Sequence, residues 1–232
     1  MSISVWLRCF IWLLVFSSSS SSSTLAASTF LSAAPKKFGG TYTDLKDPNL
    51  PADYQYQGEY AGEGLGAQVI ALDKGAFQAV LYPGGLPGAG WDGKGKSLLD
   101  GKTGGGQAAF VPAAGRKRYM AGGGTEFSAT RKFPPEGHGE YSGEIANGVF
   151  NIKAKSGKGM ALKKVERKSP TLGAKAPAGA VVLFDGSNVD HWKNGRITDG
   201  LLGATGAIST KLFRDCTIHV EFRTPYRPHS RS

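Results

Sequence analysis

A six-residue segment recurs along this chain, and the recurrence constrains the fold more strongly than any other feature. Residues Gly58 to Glu63 read GEYAGE, and residues Gly139 to Glu144 read GEYSGE. An apolar run follows each copy and is interrupted by a turn sequence, Asp73 to Gly75 in the first and Ser156 to Gly159 in the second. Two hairpins with matching lead-ins predict a small all-β domain over residues 36–165, either a partly closed barrel or a sandwich. Coincidence in a glycine-rich chain is the alternative explanation of the repeat.

The composition is typical of a globular, loop-rich and β-rich chain, with 34 glycines among 232 residues, 40% hydrophobic residues and 20% charged residues. This length allows one or two domains. Residues 166–180, ERKSPTLGAKAPAGA, are charged at first, then rich in Pro, Ala and Gly, and show no periodicity. We predict that they link the β domain to a second domain over residues 181–232.

The first 27 residues have the pattern of a secretory signal peptide. An apolar core from Cys9 to Phe16 precedes a serine run and small residues that suit cleavage after Ala26 or Ala27. The core is too short to span a bilayer, which requires roughly 20 apolar residues. We therefore expect an exported protein of the periplasm, the cell envelope or the extracellular space, without a transmembrane helix after cleavage. An uncleaved N-terminal anchor is the alternative.

Removal of this leader leaves Cys216 as the only cysteine, so the mature chain cannot form an internal disulfide. Export without disulfides suits a bacterial envelope better than a disulfide-stapled secreted domain. Because Cys216 falls on the apolar face of a predicted strand, we interpret it as a small core residue rather than as a nucleophile.

The formal net charge of +10 raises the question of an anionic partner. The basic residues are densest at Gly115 to Arg118 and at Leu162 to Lys168. Neither group is interleaved with the aromatic side chains on which single-stranded nucleic acids stack. With an export signal in front, we predict that the protein has no nucleic-acid partner. We expect these charges to face an acidic cell surface, a polysaccharide or solvent.

Residues Gly90 to Ser97, GWDGKGKS, match the phosphate-binding pattern G-x-x-x-x-G-K-S. That loop works when a strand runs directly into it and a helix leaves it. Here the candidate strand ends near Tyr82, and the residues after Ser97 lead into glycines that disfavour a helix. We predict no nucleotide partner, and a long loop from Pro83 to Gly106 whose Trp91 packs or contacts a ligand.

Four glutamates form two pairs, each pair on one face of a predicted strand: Glu59 with Glu63, and Glu140 with Glu144. A glycosidase needs two carboxylates about 5 to 10 Å apart, but charges that protect an exposed sheet edge explain the pairs equally well. His138 and His191 have no His or Cys neighbour at ligand spacing. The sequence therefore predicts no identifiable metal site.

Near the end of the chain, apolar and polar residues alternate with the period of a strand that has one face on a core and one face in water. The apolar set is Cys216, Ile218, Val220 and Phe222, and the polar set is Thr217, His219, Glu221 and Arg223. A hydroxyl, an imidazole, a carboxylate and a guanidinium on one face can bind a polyhydroxylated ligand or perform acid/base chemistry. An ordinary solvated sheet face is the alternative.

The segment from Val181 to about Arg223 resembles the opening of the 3-keto-disaccharide hydrolase family. The matching residues are Leu183, Phe184, Asp185, Gly186, Trp192, Asp199, Gly200, Leu201, Phe213, Asp215, Glu221, Phe222 and Arg223. The resemblance implies a concanavalin-like β-sandwich, of which this chain would hold only the first strands, since family members continue with a Gly-Asn-Ser-Gly strand and many more strands. The preceding β domain also looks like a region found in some members.

By this resemblance the protein is expected to cleave 3-keto-glycosides, with Glu221 and His219 as catalytic residues and Arg223 and Trp192 binding the carbohydrate. A divalent metal that stabilises the enolate is chemically sensible, although its ligands cannot be identified. Because the resemblance covers only the first part of the hydrolase domain, we expect no hydrolysis from residues 1–232 alone. The competing hypotheses are a non-catalytic carbohydrate-binding module and a structural envelope protein.

Overall fold

The structure, a computed structural model, describes residues 9–11, 41–115, 117–119 and 127–228, and in these residues the fold is all-β, as predicted. They form two compact units, the first from described residues 41–167 together with 225–228, and the second from residues 9–11 and 168–224.

A short 3-10 helix, η1, spans Ala52–Tyr56. The longer strands are β2 (Gly58–Gly62), β3 (Leu65–Ala71), β4 (Ala76–Pro83), β5 (Ser97–Gly104), β6 (Gln107–Pro112), β9 (Tyr141–Ala146), β10 (Val149–Ala154) and β11 (Gly159–Val165). The shorter strands are β1 (Cys9–Ile11), β7 (Arg118–Tyr119), β8 (Phe127–Ser128), β12 (Trp192–Lys193), β13 (Ile197–Thr198), β14 (Leu201–Leu202), β15 (Ile208–Ser209) and β16 (Ile218–Val220).

The first unit is a closed antiparallel barrel of eight strands in the order β2-β3-β4-β5-β6-β9-β10-β11, and β11 returns to pair with β2. Both predicted turns are confirmed. Asp73, Lys74 and Gly75 connect β3 to β4 with φ angles of 82°, 51° and 74°. The second turn sequence connects β10 to β11. The left-handed conformation at these turns is the one that Gly, Asn and Asp adopt most readily.

Aromatic and aliphatic side chains fill the interior of the barrel. Tyr60, Phe77, Phe110 and Phe150 are almost fully buried there. The rings of Phe110 and Phe150 have centroids 4.8 Å apart, and the Tyr60 hydroxyl donates to the Tyr56 carbonyl at 2.8 Å. Each such side chain contributes about 1.5–3 kcal/mol through burial. The barrel is therefore a packed core rather than a channel.

Strands β3 and β4 are buried on both faces, because the segments around residues 84–96 and 127–139 cover the outside of this part of the sheet. The Gln78 carboxamide anchors the second segment by accepting from the Ala129 amide at 2.5 Å. The same carboxamide donates to Asp100 at 3.2 Å and to the Phe127 carbonyl at 3.3 Å. Polar groups thus occupy outward-facing positions of the sheet without being left unpaired.

The prediction of a loop from Pro83 to Gly106 is wrong from Ser97 onward, where β5 begins. Glycines disfavour a strand in general, but β5 is held on both sides by β4 and β6. Gly101 also has a packing reason, because the Phe110 ring lies directly over it. Tertiary pairing therefore overrides the local preference of this glycine-rich segment.

The second unit contains short strand pairs around a small apolar cluster. Among its described residues, β12 pairs with β15, β13 with β14, and β1 with β16. Leu183 and Phe184 are fully buried, and Trp192 packs against them. No strand forms in residues 166–191, which include the predicted linker. Among the described residues of the whole chain, no helix is long and apolar enough to cross a membrane.

In the alternating segment of residues 216–223, the structure exposes the apolar face that was predicted to be buried. Ile218, Val220 and Phe222 are about half exposed, whereas Glu221 is buried. Cys216 is also exposed, so its interpretation as a core residue is wrong. The physical reason is that alternation separates two sets of side chains, while the neighbouring segments decide which set is covered. Most of the predicted leader lies outside the described residues; its segment Cys9–Ile11 forms β1.

Candidate functional site

Two of the four predicted site residues are in direct contact at the end of β16. The His219 Nε2 atom and the Glu221 Oε1 atom are 3.2 Å apart. The same oxygen of Glu221 accepts a short hydrogen bond from the Gly173 amide. The Glu221 side chain is 5% exposed and that of His219 is 27% exposed. A buried carboxylate therefore holds an imidazole that remains accessible.

The other two predicted site residues have different surroundings. The Trp192 indole N–H donates to the Leu183 carbonyl at 2.8 Å, and its ring belongs to the apolar cluster of the second unit. Arg223 is half buried. The structure thus brings His219 and Glu221 together, and it uses part of the Trp192 surface for packing.

The His219–Glu221 pair has the arrangement of an oriented base. When a carboxylate accepts a hydrogen bond from one imidazole nitrogen, it fixes the tautomer and the orientation of the ring. In this pair Glu221 engages the Nε2 atom of His219. Burial keeps Glu221 itself away from a ligand. From this position Glu221 can orient His219.

The described residues contain no cluster of three or more His, Cys, Asp or Glu side chains that could hold a metal ion. His138 is engaged structurally, because its Nδ1 accepts from the Leu98 amide at 3.3 Å and its ring packs against Phe133. The pair His219 and Glu221 supplies two donor groups at most. The donor set therefore does not fit the divalent metal considered from the sequence, and no chemical step is assigned to one.

One glutamate of each pair in the repeat forms an ion pair on the outside of the barrel. Glu59 receives two hydrogen bonds from Arg167, at 2.6 and 2.7 Å, and Glu140 contacts Lys155 at 2.7 Å. Glu63 and Glu144 are both exposed. Glu59 and Glu140 thus each have their own cation. Because β2 and β9 are paired on both sides in the closed barrel, these glutamates do not lie at an exposed sheet edge.

A polar network extends inward from Glu59. Gln68 donates to Glu59 at 2.9 Å, and the Tyr82 hydroxyl donates to Gln68 at 2.8 Å. Burial raises the pKa of Glu59, but hydrogen bonds from Arg167 and Gln68 and the charge of Arg167 outweigh it, so the pKa lies below its ordinary value. Burial, with the nearby charge of Glu59, raises the pKa of Tyr82 to about 12. At physiological pH Glu59 is therefore ionised and Tyr82 is neutral in this network.

The phosphate-loop match leads into a strand, since Ser97 is the first residue of β5. The Ser97 hydroxyl accepts from the Gly139 amide at 2.9 Å, which ties this segment to the start of the second repeat copy. Trp91 packs on Tyr82 with ring centroids 4.8 Å apart, and its N–H donates to the Gly95 carbonyl. The motif therefore lacks the helix start on which phosphate recognition depends.

The sequence did not indicate a depression of about 290 Å³ at one end of the barrel. Its walls come from η1 and from the turn between β5 and β6, with Asp53, Gln55, Thr103 and Gln107 among them. The sequence shows polar residues on both sides of the glycines at 104–106. It does not show that they lie near η1, because that proximity depends on the closed barrel.

Comparison of the chain with models of protein families, with curated proteins and with solved structures finds no match in any of the three.

Proposed function

We propose that the protein is an exported carbohydrate-active protein of the kind that cleaves 3-keto-glycosides by elimination followed by addition of water, and that residues 1–232 alone carry its first step, proton abstraction, without completing hydrolysis. The observation that carries this proposal is the contact between accessible His219 and buried Glu221, 3.2 Å apart. The residues from Val181 to Arg223 that resemble the 3-keto-disaccharide hydrolase family support it. The leader segment supports export.

The chemistry requires a single base at the start. A ketone at C3 of the sugar acidifies the C2–H bond, and the imidazole of His219 takes that proton. The electron pair moves to the C3 oxygen as an enolate, which then expels the C1 substituent and leaves an unsaturated ketone; the leaving oxygen takes the proton from the imidazolium. Water then adds with its oxygen at C1 and its proton at C2, so the net result is hydrolysis. Glu221 stabilises the imidazolium that forms in the first step.

Arg223 is the candidate for binding the enolate oxygen, because a guanidinium donates several hydrogen bonds and carries a permanent charge. Trp192 is a candidate sugar platform through the part of its ring that packing leaves exposed. Both roles are proposals from residue chemistry and from the resemblance.

Proton exchange tests the proposal at its first step. A 3-keto-glycoside incubated with the protein in D₂O should exchange the hydrogen at C2 faster than in buffer alone, as followed by proton NMR. His219→Ala should lower the exchange rate at least 100-fold, in the range for loss of a general base. Glu221→Gln should lower it about tenfold. His191→Ala is the matched control, since His191 is an exposed histidine of the same unit.

Exchange no faster than in buffer, or equal exchange in the His219 variant, would contradict the proposal. Saturable binding of the keto sugar without exchange would instead indicate a carbohydrate-binding module.

A further inference from the structure

The barrel carries a concave site that the proposed chemistry does not use. The depression of about 290 Å³ lies between η1 and the β5–β6 turn. Its volume lies just below the range of about 300–1,000 Å³ that is usual for small-ligand pockets, so a ligand is limited to a single ring rather than a chain of sugars. It belongs entirely to the first unit.

The walls of this depression are fixed to one another by hydrogen bonds. Asp53 Oδ2 accepts from the Gly75 amide at 2.7 Å, and the Tyr56 hydroxyl donates to the Gly106 carbonyl at 2.8 Å. The Thr103 amide donates to the Gly75 carbonyl at 2.8 Å. η1, the β3–β4 turn and the β5–β6 turn are therefore cross-linked before any ligand binds. A preorganised site loses little conformational entropy on binding.

The residues that line the depression carry groups that suit a ligand with several hydroxyls. The carboxamides of Gln55 and Gln107 each offer donors and an acceptor, Thr103 offers a hydroxyl, and Asp53 Oδ1 is an acceptor. A sugar hydroxyl both donates and accepts, so such a mixed set matches it. Among the described residues, the lining includes one carboxylate and neither lysine nor arginine. An anionic sugar would be repelled by Asp53.

We propose that this depression is a binding site for one neutral pyranose ring, which would make the barrel a carbohydrate-binding module. The inference is independent of the elimination chemistry, because all its residues lie in the first unit and His219 lies in the second.

The test is an NMR titration of the full chain with methyl β-D-glucopyranoside, following the amide signals of Gly104, Gly105 and Gly106. We expect saturable shifts with a Kd of about 1–10 mM, the range for a small ligand held by a few exposed hydrogen bonds. Gln55→Ala and Gln107→Ala should each weaken binding at least threefold. Asn151→Ala is the matched control, because Asn151 is an exposed amide on β10 that does not line the depression.

Glucuronate, the acidic counterpart, should bind at least fivefold more weakly than the neutral glycoside. Equal or tighter binding of glucuronate would overturn the proposal, because the net positive charge of the chain would then be the attracting feature. Shifts that do not saturate, or that persist unchanged in both glutamine variants, would overturn it as well. Loss of proton exchange in the His219 variant with sugar binding intact would separate the two sites.

Discussion

Two glutamates at equivalent positions of the repeat differ in how far they are removed from water. The Glu59 side chain is 11% exposed and receives two hydrogen bonds from Arg167, whereas Glu140 and Lys155 form a pair at the exposed surface. Arg167 also donates to the Pro87 carbonyl at 2.8 Å and so holds the outer segment against β2. A covered carboxylate depends on its cation far more than an exposed one does.

Replacing Arg167 with Ala should therefore destabilise the barrel by about 1–2 kcal/mol, because Glu59 would keep its burial and lose its cation. Lys155→Ala, the matched change in the other repeat copy, should leave the free energy of unfolding unchanged. Urea denaturation at pH 7 measures both variants. Equal effects of the two changes would show that burial of Glu59 is unimportant.

The same pair predicts a dependence on pH. The pKa of Glu59 is lowered from its ordinary value of 4.5, so the unfolded chain binds the proton more readily than the folded chain. The stabilisation is present above about pH 4.5 and is lost as the pH falls through the folded pKa. In Arg167→Ala the pKa of Glu59 should be lowered less, so the loss of stability at acid pH should be smaller.

At the scale of a single element, β5 combines two glycines with opposite requirements. Gly101 lies opposite Phe110, and a Cβ added there would stand 2.6 Å from the Cδ1 atom of that buried ring. Gly104 has no atom within 4 Å of the same position, and its φ is not positive. One glycine is therefore required by packing and the other is not.

Gly101→Ala should destabilise the barrel by about 1–3 kcal/mol, because the Phe110 ring would have to leave its place in the core. Gly104→Ala should be neutral or stabilising by about 0.5 kcal/mol, since it restricts the unfolded chain without a clash. Thermal unfolding followed by circular dichroism measures both. A neutral Gly101 variant would show that the core tolerates displacement of the ring.

Elements were predictable where local chemistry determines them. The turns at Asp73 to Gly75 and Ser156 to Gly159 follow from residues that adopt positive φ, and both connect paired strands. The start of β5 was missed, because pairing with β4 and β6 outweighs its glycines. The facing of β16 was missed because the alternation of Ile218 and His219 is the same whichever side is covered.

For the whole molecule, the end of the described chain returns to the barrel. Tyr226 pairs with Tyr42 through two backbone hydrogen bonds of 2.9 and 2.8 Å, and its ring lies 4.8 Å from that of Tyr54. Tyr226 is 7% exposed and belongs to the barrel core. Neither this contact nor the pairing of β11 with β2 could be predicted, since both join residues far apart in the sequence.

Tyr226→Ala should lower the free energy of unfolding of the barrel by about 3 kcal/mol, in the range for removing a buried aromatic ring. Tyr226→Phe keeps the contacts with Tyr42 and Tyr54 and should cost less than half as much. Urea denaturation followed by tyrosine fluorescence compares the two. Equal losses would assign the effect to the hydroxyl rather than to the ring.

Limited proteolysis should cut within residues 169–224 first, because that unit has few fully buried side chains and exposes Ile208 and Leu212. The barrel should persist, with the peptide that contains Tyr226 still bound to it after cleavage. Mass spectrometry under native and denaturing conditions tests this. A barrel fragment recovered without that peptide would show that the Tyr42–Tyr226 contact depends on an intact chain.

The pairing of β11 with β2 also sets the order of events while the chain is being synthesised. Strand β2 leaves the ribosome early, but the strand that covers its free edge is the last of the barrel to emerge. Until then the growing sheet has an open edge and an uncovered apolar face, and both favour association with other nascent chains. A pause in translation before Gly159 would therefore prolong the aggregation-prone state. The nascent chain depends most on chaperones during this interval.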